Sequence, residues 1–284
     1  MKGLISGIKR VEIHDGDGIR TTVFFKGCPL KCIWCHNPES ISFKKQLAFY
    51  ENQCIGCGAC ERACPNGIPR AEITSSKQCI QCFECSKICP TGAITLYGEE
   101  YTVDELVRLL IQDKIFYKKS NGGVTLSGGE CLAQTDFAVE LAKKLFENGV
   151  SVYVDTCGFV EREVLERIIP YTEKFLYDIK AVDSQIHKSL TGKDNKIILD
   201  NLMFLVKTGC NIEIRYPFVK GYNDGEYVKI IDLMERMNAK INVKVLKYHF
   251  LAKSRYIALG MKDTMPDVKV SDKDVEEISR LTQP

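Results

Sequence analysis

The sequence predicts an α/β protein, a partial (β/α)6 TIM-like barrel with a small cysteine-rich domain inserted near its N-terminal end. Three observations carry this. Beyond residue 92, apolar strand-like runs alternate with amphipathic helical stretches, and regular β/α alternation means a parallel sheet. Eleven of the 14 cysteines fall between Cys28 and Cys89, in three clusters. A length of 284 residues allows one large domain with a small insertion. The barrel is assigned to residues 1–51 and 93–284 and the insertion to 52–92. A doubly wound open sheet is the competing architecture.

Taken in order, "RTTVFFKG" is the first strand, ahead of the first cysteines. "YTVDELVRLLIQDKIFYKK" opens with Thr102 and Glu105, the T-x-x-E of a capping box, before leucines at helical spacing. A short strand over Val124 to Ser127 ends in glycines, and a helix from about Thr135 to Asn148 stops at Gly149. The strand "VSVYVDT", the helix "EREVLERII" and the strand "FLYDIK" follow. "NKIILDNLMFLVK" is a helix ended by Gly209, "NIEIRYPFV" a strand, "EYVKIIDLMERM" a helix and "INVKVLKYH" the sixth strand.

Composition bounds the function. The hydrophobic and charged fractions, 45% and 27%, are those of a soluble globular protein. A net charge of +2 leaves no basic excess to neutralise phosphates, so nucleic acid is not expected as a partner. "MKGLISGIKR" has no apolar core of signal-peptide length, and no run of about 18 apolar residues implies a membrane span. The expected compartment is the cytoplasm, and a monomer is expected. Cytosolic thiols stay reduced, so the cysteines point to metal or cluster chemistry rather than disulfides.

Two of the three clusters form an internal repeat. "CIGCGACERACP" places Cys54, Cys57, Cys60 and Cys64 before a proline, and "CIQCFECSKICP" places Cys79, Cys82, Cys85 and Cys89 likewise. Each is the C-x2-C-x2-C-x3-C-P run of bacterial ferredoxins, in which the fourth cysteine ligates the other cluster. By that rule Cys54, Cys57, Cys60 and Cys89 hold one [4Fe-4S] cube, and Cys64, Cys79, Cys82 and Cys85 the second, making the insertion bacterial-ferredoxin-like. Structural zinc is the alternative, but it does not account for two complete repeats each with a trailing proline.

The first cluster is different. In "KGCPLKCIWCHNPES", Cys28, Cys32 and Cys35 are spaced C-x3-C-x2-C, enough for three irons of a third [4Fe-4S] cube. An open metal position is what a catalytic site keeps and a structural site fills. The open iron suits a chelating ligand such as the amino and carboxylate groups of an amino-acid moiety. A zinc completed by His36 is the alternative, although adjacent residues seldom reach one tetrahedral ion together.

In parallel barrels the active site lies at the C-terminal ends of the strands. The cysteine loop follows the first strand, and Gly128, Gly129 and Glu130 follow the second. Asp155 and Thr156 end the third, Asp178 and Lys180 the fourth; Arg215 sits in the fifth and His249 ends the sixth. Individually these residues fit turns, helix caps and ion pairs equally well; jointly they point to a site.

The stretch "DGDGIRTTVFFKGCPLKCIWCHNPES" resembles the opening of the glycyl-radical-enzyme activating enzymes, a branch of the radical S-adenosylmethionine superfamily. The similarity runs on through "NGGVTLSGGE", "DTCGF", "YDIK", "GYND" and "YHFLAKSRYIALG". Larger members of that family carry a ferredoxin-like insertion where residues 52–92 lie here. The resemblance implies that Cys28, Cys32 and Cys35 hold a cluster whose open iron S-adenosylmethionine chelates. It implies that Trp34 lies beside the adenine, with backbone of Trp34 and His36 contacting the cofactor. Gly128, Gly129 and Glu130 would meet the methionine amino group, and Asp178, Ile179, Lys180 and His249 the ribose and carboxylate side, with Arg215 nearby. Asp155 and Asp178 would also hold a monovalent cation. The implied reaction is reductive cleavage to a 5′-deoxyadenosyl radical, which takes a glycine α-hydrogen from a partner glycyl radical enzyme. A flavodoxin or ferredoxin would supply the electron. Two further readings stand beside it: a radical enzyme acting directly on a small molecule or peptide, and an electron-transfer module. The chain departs from the family at Asp17, where D-G-P-G is usual, and at Cys131, where proline usually follows G-G-E; Cys131 is read as a passive small residue.

Overall fold

The computed structural model describes residues 1–283. Its strands are β1 (Lys2–Glu12), β2 (Arg20–Phe25), β3 (Gln46–Phe49), β4 (Ile94–Tyr97), β5 (Glu99–Thr102), β6 (Gly123–Gly128), β7 (Ser151–Thr156), β8 (Lys174–Asp178), β9 (Ile212–Phe218) and β10 (Asn242–Lys247). Eight of them form one sheet in the order β10-β9-β8-β7-β6-β2-β1-β5. From β2 to β10 every pairing is parallel. These are the six strands expected from the alternation. A doubly wound sheet reverses its strand order at a switch point; here the order is unreversed, so that alternative falls. The sequence did not announce β1 and β5, which add antiparallel strands beyond β2.

The helices are α1 (Ala59–Ala63), α2 (Glu84–Ile88), α3 (Val103–Leu110), α4 (Lys114–Ser120), α5 (Thr135–Glu147), α6 (Arg162–Ile168), α7 (Ser184–Thr191), α8 (Lys196–Lys207), α9 (Glu226–Arg236), α10 (Lys253–Ala258) and α11 (Asp272–Leu281). The capping box at Thr102 and Glu105 is present and starts α3. Helix α5 buries Phe137, Ala138, Leu141, Ala142 and Leu145, one face at helical spacing. The strands pack Val124, Leu126, Val154 and Tyr177 fully out of solvent, and each of the three aliphatic side chains contributes about 1.5–3 kcal/mol.

The sheet is strongly curved. In a flat sheet β2 and β10 would lie five spacings of about 4.8 Å apart, roughly 24 Å. Yet Lys244 Nζ on β10 donates to the His14 carbonyl at 3.1 Å, and Arg215 on β9 reaches the same carbonyl at 3.4 Å and Asp15 at 3.5 Å. His14 and Asp15 belong to the connection between β1 and β2. The strand ends are thereby turned inward onto a common space. Helix α11 packs along β10 at the end of the sheet.

The cysteine-rich segment has its own small core. Strands β3 and β4 pair antiparallel on either side of it, and Leu47 and Ile94 pack with Cys60, Ile68 and Ile73. The two repeats match in backbone as well as in sequence. Gly56 and Gly58 have positive φ in the first, and Gln81 and Phe83 take the same left-handed conformation in the second.

Candidate functional site

A cavity of about 430 Å³ opens where the six parallel strands end. Its wall carries Cys28, Cys32, Trp34, Cys35, His36, Gly128, Gly129, Asp155, Asp178, Lys180, Arg215 and His249. Twelve of the fourteen residues expected at this site therefore converge. Glu130 and Ile179 do not line it, for reasons given below.

The cysteine loop is held from three sides. Lys31 and Ile33 donate their N–H groups to the carbonyls of Thr191 and Leu190 at the end of α7, at 2.9 and 3.0 Å. Gly27 N–H reaches Ser40 O at 2.7 Å, and Cys28 N–H reaches Ile41 O at 3.0 Å. From the C-terminal segment, Tyr256 Oη donates to Cys35 O at 3.2 Å and Thr264 Oγ1 to Ile33 O at 3.0 Å. The loop following β6 comes equally close. A Cβ on Gly129 would lie 2.4 Å from Gly27 O, and one on Gly128, at φ +116°, would lie 2.2 Å from Phe25 N. Only glycine fits at either position.

The three thiols face the cavity together. Burial pushes the Cys35 thiol up to about 12 and raises Cys28 and Cys32 as well. Thiolates here need a bonded cation to offset that cost. Among the described residues no three His, Cys, Asp or Glu side chains converge on a single-ion site. Three separate iron corners of a cube fit this donor set; one tetrahedral zinc completed by His36 does not. His36 is instead stacked on His249, ring centroids 4.1 Å apart at 9°. Burial, with His249 and Arg255 adding, lowers His36 to about 4, so the ring is neutral at pH 7.

Opposite the thiols lies a charged wall. Lys180 Nζ pairs with Asp178 at 2.7 Å. Burial works against the Lys180 charge, but Asp178, Cys32 and Cys157 hold it protonated. Arg215 faces Asp15, Asp155 and Glu213 at 3.5–3.8 Å. Ser127 Oγ donates to Asp155 Oδ2 at 2.6 Å. Burial pushes Asp155 up to about 7, with Asp178 and Asp15 adding and Arg215 opposing. Asn223, from the "GYND" turn, donates to the carbonyls of Lys180 at 3.0 Å and Pro217 at 2.8 Å, fixing the strand ends that carry Lys180 and Arg215.

Glu130 departs from expectation. It has no exposed surface. Thr156 Oγ1 and Leu132 N donate to Oε1 at 2.8 and 3.0 Å, and Cys157 N donates to Oε2 at 2.9 Å. The carboxylate ties the loop after β6 to the loop after β7 and has no face toward the cavity. Ile179 is buried, and its N–H donates to Arg215 O at 2.9 Å. Cys131 is buried, and its thiol lies 3.5 Å from Asp155 O. Asp17 lies outside the cavity and accepts from Tyr153 Oη at 2.9 Å and Lys174 Nζ at 2.6 Å. The wall also carries Asp15, Ser127 and Cys157, which sequence reasoning did not single out; Cys157 stands in the quoted "DTCGF" and was the available signal.

Two small further cavities lie in the cysteine-rich segment. One is lined by Cys54, Cys57, Cys60 and Cys89. The other takes Cys64, Cys79, Cys82 and Cys85, with Cys60 on the shared wall.

Residues 22–234 match the family model of the radical SAM superfamily, named for S-adenosylmethionine. The trans-4-hydroxy-L-proline dehydratase activating enzyme of Clostridioides difficile is 43% identical over 99% of this chain and 96% of its own. The chain belongs to the radical SAM superfamily, in its branch of glycyl-radical-enzyme activating enzymes. The choline trimethylamine-lyase activating enzyme of Oleidesulfovibrio alaskensis is 38% identical over 98% of this chain and 94% of its own. The benzylsuccinate synthase activating enzyme of Thauera aromatica is 34% identical over 99% and 88%. Among solved structures, Streptococcus suis SuiB bound to S-adenosylmethionine is similar with a TM-score of 0.51 at 15% identity, over 64% of this chain and 40% of that one. That likeness speaks for the fold alone.

Proposed function

We propose that this chain activates a partner glycyl radical enzyme at the cavity above the strand ends, with Cys28, Cys32 and Cys35 holding a [4Fe-4S] cluster and S-adenosylmethionine beside it. The observation that carries this reading is the convergence of three thiols, two strand-end glycines and the charged wall of Asp155, Asp178, Lys180 and Arg215 on one space. The bound groups supply the chemistry, reductive cleavage of S-adenosylmethionine to a 5′-deoxyadenosyl radical that removes a glycine α-hydrogen. The chain binds, orients and excludes water. Gly128 and Gly129 offer backbone to the amino group of the methionine moiety. Lys180, protonated and held by Asp178, faces its carboxylate. Trp34, His36 and His249 flank the adenosine, and the neutral His36–His249 stack gives it an uncharged surface. Asp155 and Asp178 are the carboxylates that would face a monovalent cation, whose charge would offset the burial that raises Asp155. Glu130 acts from behind, as a positioning residue.

The curved sheet is read as a partial (β/α)6 barrel. The cysteine-rich segment is read as a ferredoxin-like insertion spanning about residues 46–97, since β3 and β4 share its core. Its eight thiols divide into the two crossed sets that two cubes need, which brings the total to three clusters. Cys57 and Cys82, the exposed thiols of each set, offer an entry for electrons from a flavodoxin or ferredoxin. Among the described residues no helix is long and apolar enough to cross a membrane; a cytoplasmic location and a monomeric state are part of this proposal.

The test is formation of a glycyl radical. Reconstituted protein, reductant and S-adenosylmethionine are mixed with a candidate partner, first a trans-4-hydroxy-L-proline dehydratase because of the 43% relative. A doublet glycyl signal in electron paramagnetic resonance supports the reading. Formation of 5′-deoxyadenosine without a protein radical in any glycyl radical enzyme tried would favour direct action on a small molecule or peptide.

A further inference from the structure

Lys26 follows β2 directly and is 1% exposed. Its backbone belongs to the barrel. The N–H donates to Leu4 O on β1 at 2.9 Å, and the carbonyl accepts from Gln134 Nε2 at 2.9 Å. Its side chain leaves the barrel. Nζ donates to the Glu39 carbonyl at 2.5 Å and to Gln46 Oε1 at 2.8 Å. Glu39 stands in the short 3-10 turn Pro38–Ser40 that ends the cysteine loop, and Gln46 is the first residue of β3. Gly98, just beyond β4, leaves room for the stem, since a Cβ there would lie 2.9 Å from Lys26 Cδ. One buried ammonium thus meets the exit of the cysteine loop and the outer ends of both insertion strands. Buried charges are ordinarily paired with an opposite charge; both acceptors here are neutral, so stability alone does not account for the contact.

A second grip on the same turn comes from α10. Arg255 Nη1 donates to Glu39 Oε1 at 2.9 Å and to the His36 carbonyl at 3.1 Å. The far end of α10 packs on the insertion strands: Ala258 and Leu259 form a small core with Ala48, and Tyr50 and Tyr97 pack against it with their hydroxyls 2.7 Å apart. Both grips on Glu39 therefore lead back to β3 and β4, and no thiol of the insertion takes part in them. His36 and Asn37, just before this turn, line the cavity. From this geometry we infer that Lys26 is a positioning residue through which β3 and β4 fix the His36–Asn37 wall of the S-adenosylmethionine site. The insertion thereby braces cofactor binding, in addition to any part in electron transfer. The inference rests on the reading that this cavity takes S-adenosylmethionine. Charge-assisted hydrogen bonds are stronger and better directed than neutral ones, and a binding wall works only while its supporting residues hold it within about 0.5 Å of the productive position.

The experiment is isothermal titration of the reconstituted full chain with S-adenosylmethionine, beside iron content and thermal melting. Lys26→Met keeps the stem and removes the donor. It retains its iron and binds S-adenosylmethionine about tenfold more weakly, the lower end of what one charge-assisted hydrogen bond contributes. The binding stoichiometry is unchanged. A role confined to stability would instead lower the melting temperature and the fraction of chains that bind, leaving the dissociation constant of the folded fraction as in wild type. Gln46→Leu weakens binding in the same direction and to a smaller degree, whereas Gln46→Glu, which gives Nζ a carboxylate, keeps wild-type affinity. Lys87→Met removes an exposed insertion lysine paired with Glu84, and it leaves affinity unchanged. A dissociation constant within twofold of wild type in Lys26→Met overturns the inference. Should that variant not fold, the same result in Gln46→Leu overturns it. An iron-loaded wild type that binds no S-adenosylmethionine overturns the cofactor-site reading itself.

Discussion

Changing Glu130 separates two roles that a G-G-E motif could have. If its carboxylate met the cofactor, replacement would weaken S-adenosylmethionine binding and leave stability alone. The structure predicts a different outcome. Glu130 has no exposed surface and accepts from Leu132 N, Cys157 N and Thr156 Oγ1 at 2.8–3.0 Å. In Glu130→Ala the threonine hydroxyl can turn to another acceptor, but the two backbone donors cannot. Each buried donor left unpaired costs about 1–3 kcal/mol, so the pair costs about 2–6 kcal/mol, a large share of the 5–15 kcal/mol that typically holds a domain. Glu130→Gln keeps the shape and loses one charge-assisted bond, about 1.5–3 kcal/mol. At roughly 2–4 °C per kcal/mol for a chain somewhat smaller than this one, the glutamine variant melts about 3–12 °C below wild type and the alanine variant lower still. The assay is thermal unfolding of cluster-loaded protein beside isothermal titration with S-adenosylmethionine at a temperature where both variants are folded. Wild-type melting in Glu130→Ala, with affinity down tenfold or more, would refute the structural reasoning and restore direct contact.

Two other outcomes follow from the structure. Cys57→Ala removes an exposed thiol of one insertion set; cleavage of S-adenosylmethionine should survive with a strong small reductant that reaches the catalytic cluster directly, and fall steeply with a flavodoxin donor. If both activities fall along with folded protein, the insertion is a clamp rather than a relay. Asp17 replaces the proline usual in the family and is held below the ordinary carboxylate range, chiefly by hydrogen bonds from Lys174 and Tyr153, with burial opposing. A depressed acid contributes stability above its unfolded value of 3.8 and loses it as pH falls through the lower folded value. Asp17→Asn should therefore cost less than about 1 kcal/mol at pH 7, because the carboxylate is largely solvent-exposed. The difference from wild type should shrink progressively in urea titrations as pH falls below 3.8; a deficit that does not change with pH would mean the side chain acts sterically.

The parallel strands were legible because each is an apolar run bounded by a cap or a glycine, as with Gly149 and Gly209, both of positive φ in the structure. Strand β5, "EEYT", was not, since a charged edge strand has no periodic signature and reads as the lead-in to α3. Strand β1 carries glycines, a serine and several charges, and is strand-like only through its pairing with β2 and β5. Helix α7 had its signals in Asp183, which caps the N–H groups of Gln185 and Ile186, and in Gly192 at φ +80°; the flanking apolar spacing was too sparse to use. The site was legible as a set of strand-end residues, because curvature gathers whatever ends a strand. Which of those residues face inward was not. Glu130 turns away because donors 26 and 27 residues further on capture it, and the cysteine loop is met by Arg255 from 219 residues further on. Sequence spacing carries neither fact.

The most direct measurement is the yield of 5′-deoxyadenosine from reconstituted protein given dithionite and S-adenosylmethionine, compared between wild type and Cys32→Ala. The account predicts steady formation by the wild type. It predicts none by the variant, which should keep roughly two-thirds of the iron because the two cubes proposed for the insertion would not use Cys32. Equal yields from both proteins, or no 5′-deoxyadenosine from a wild type loaded with iron, would contradict it.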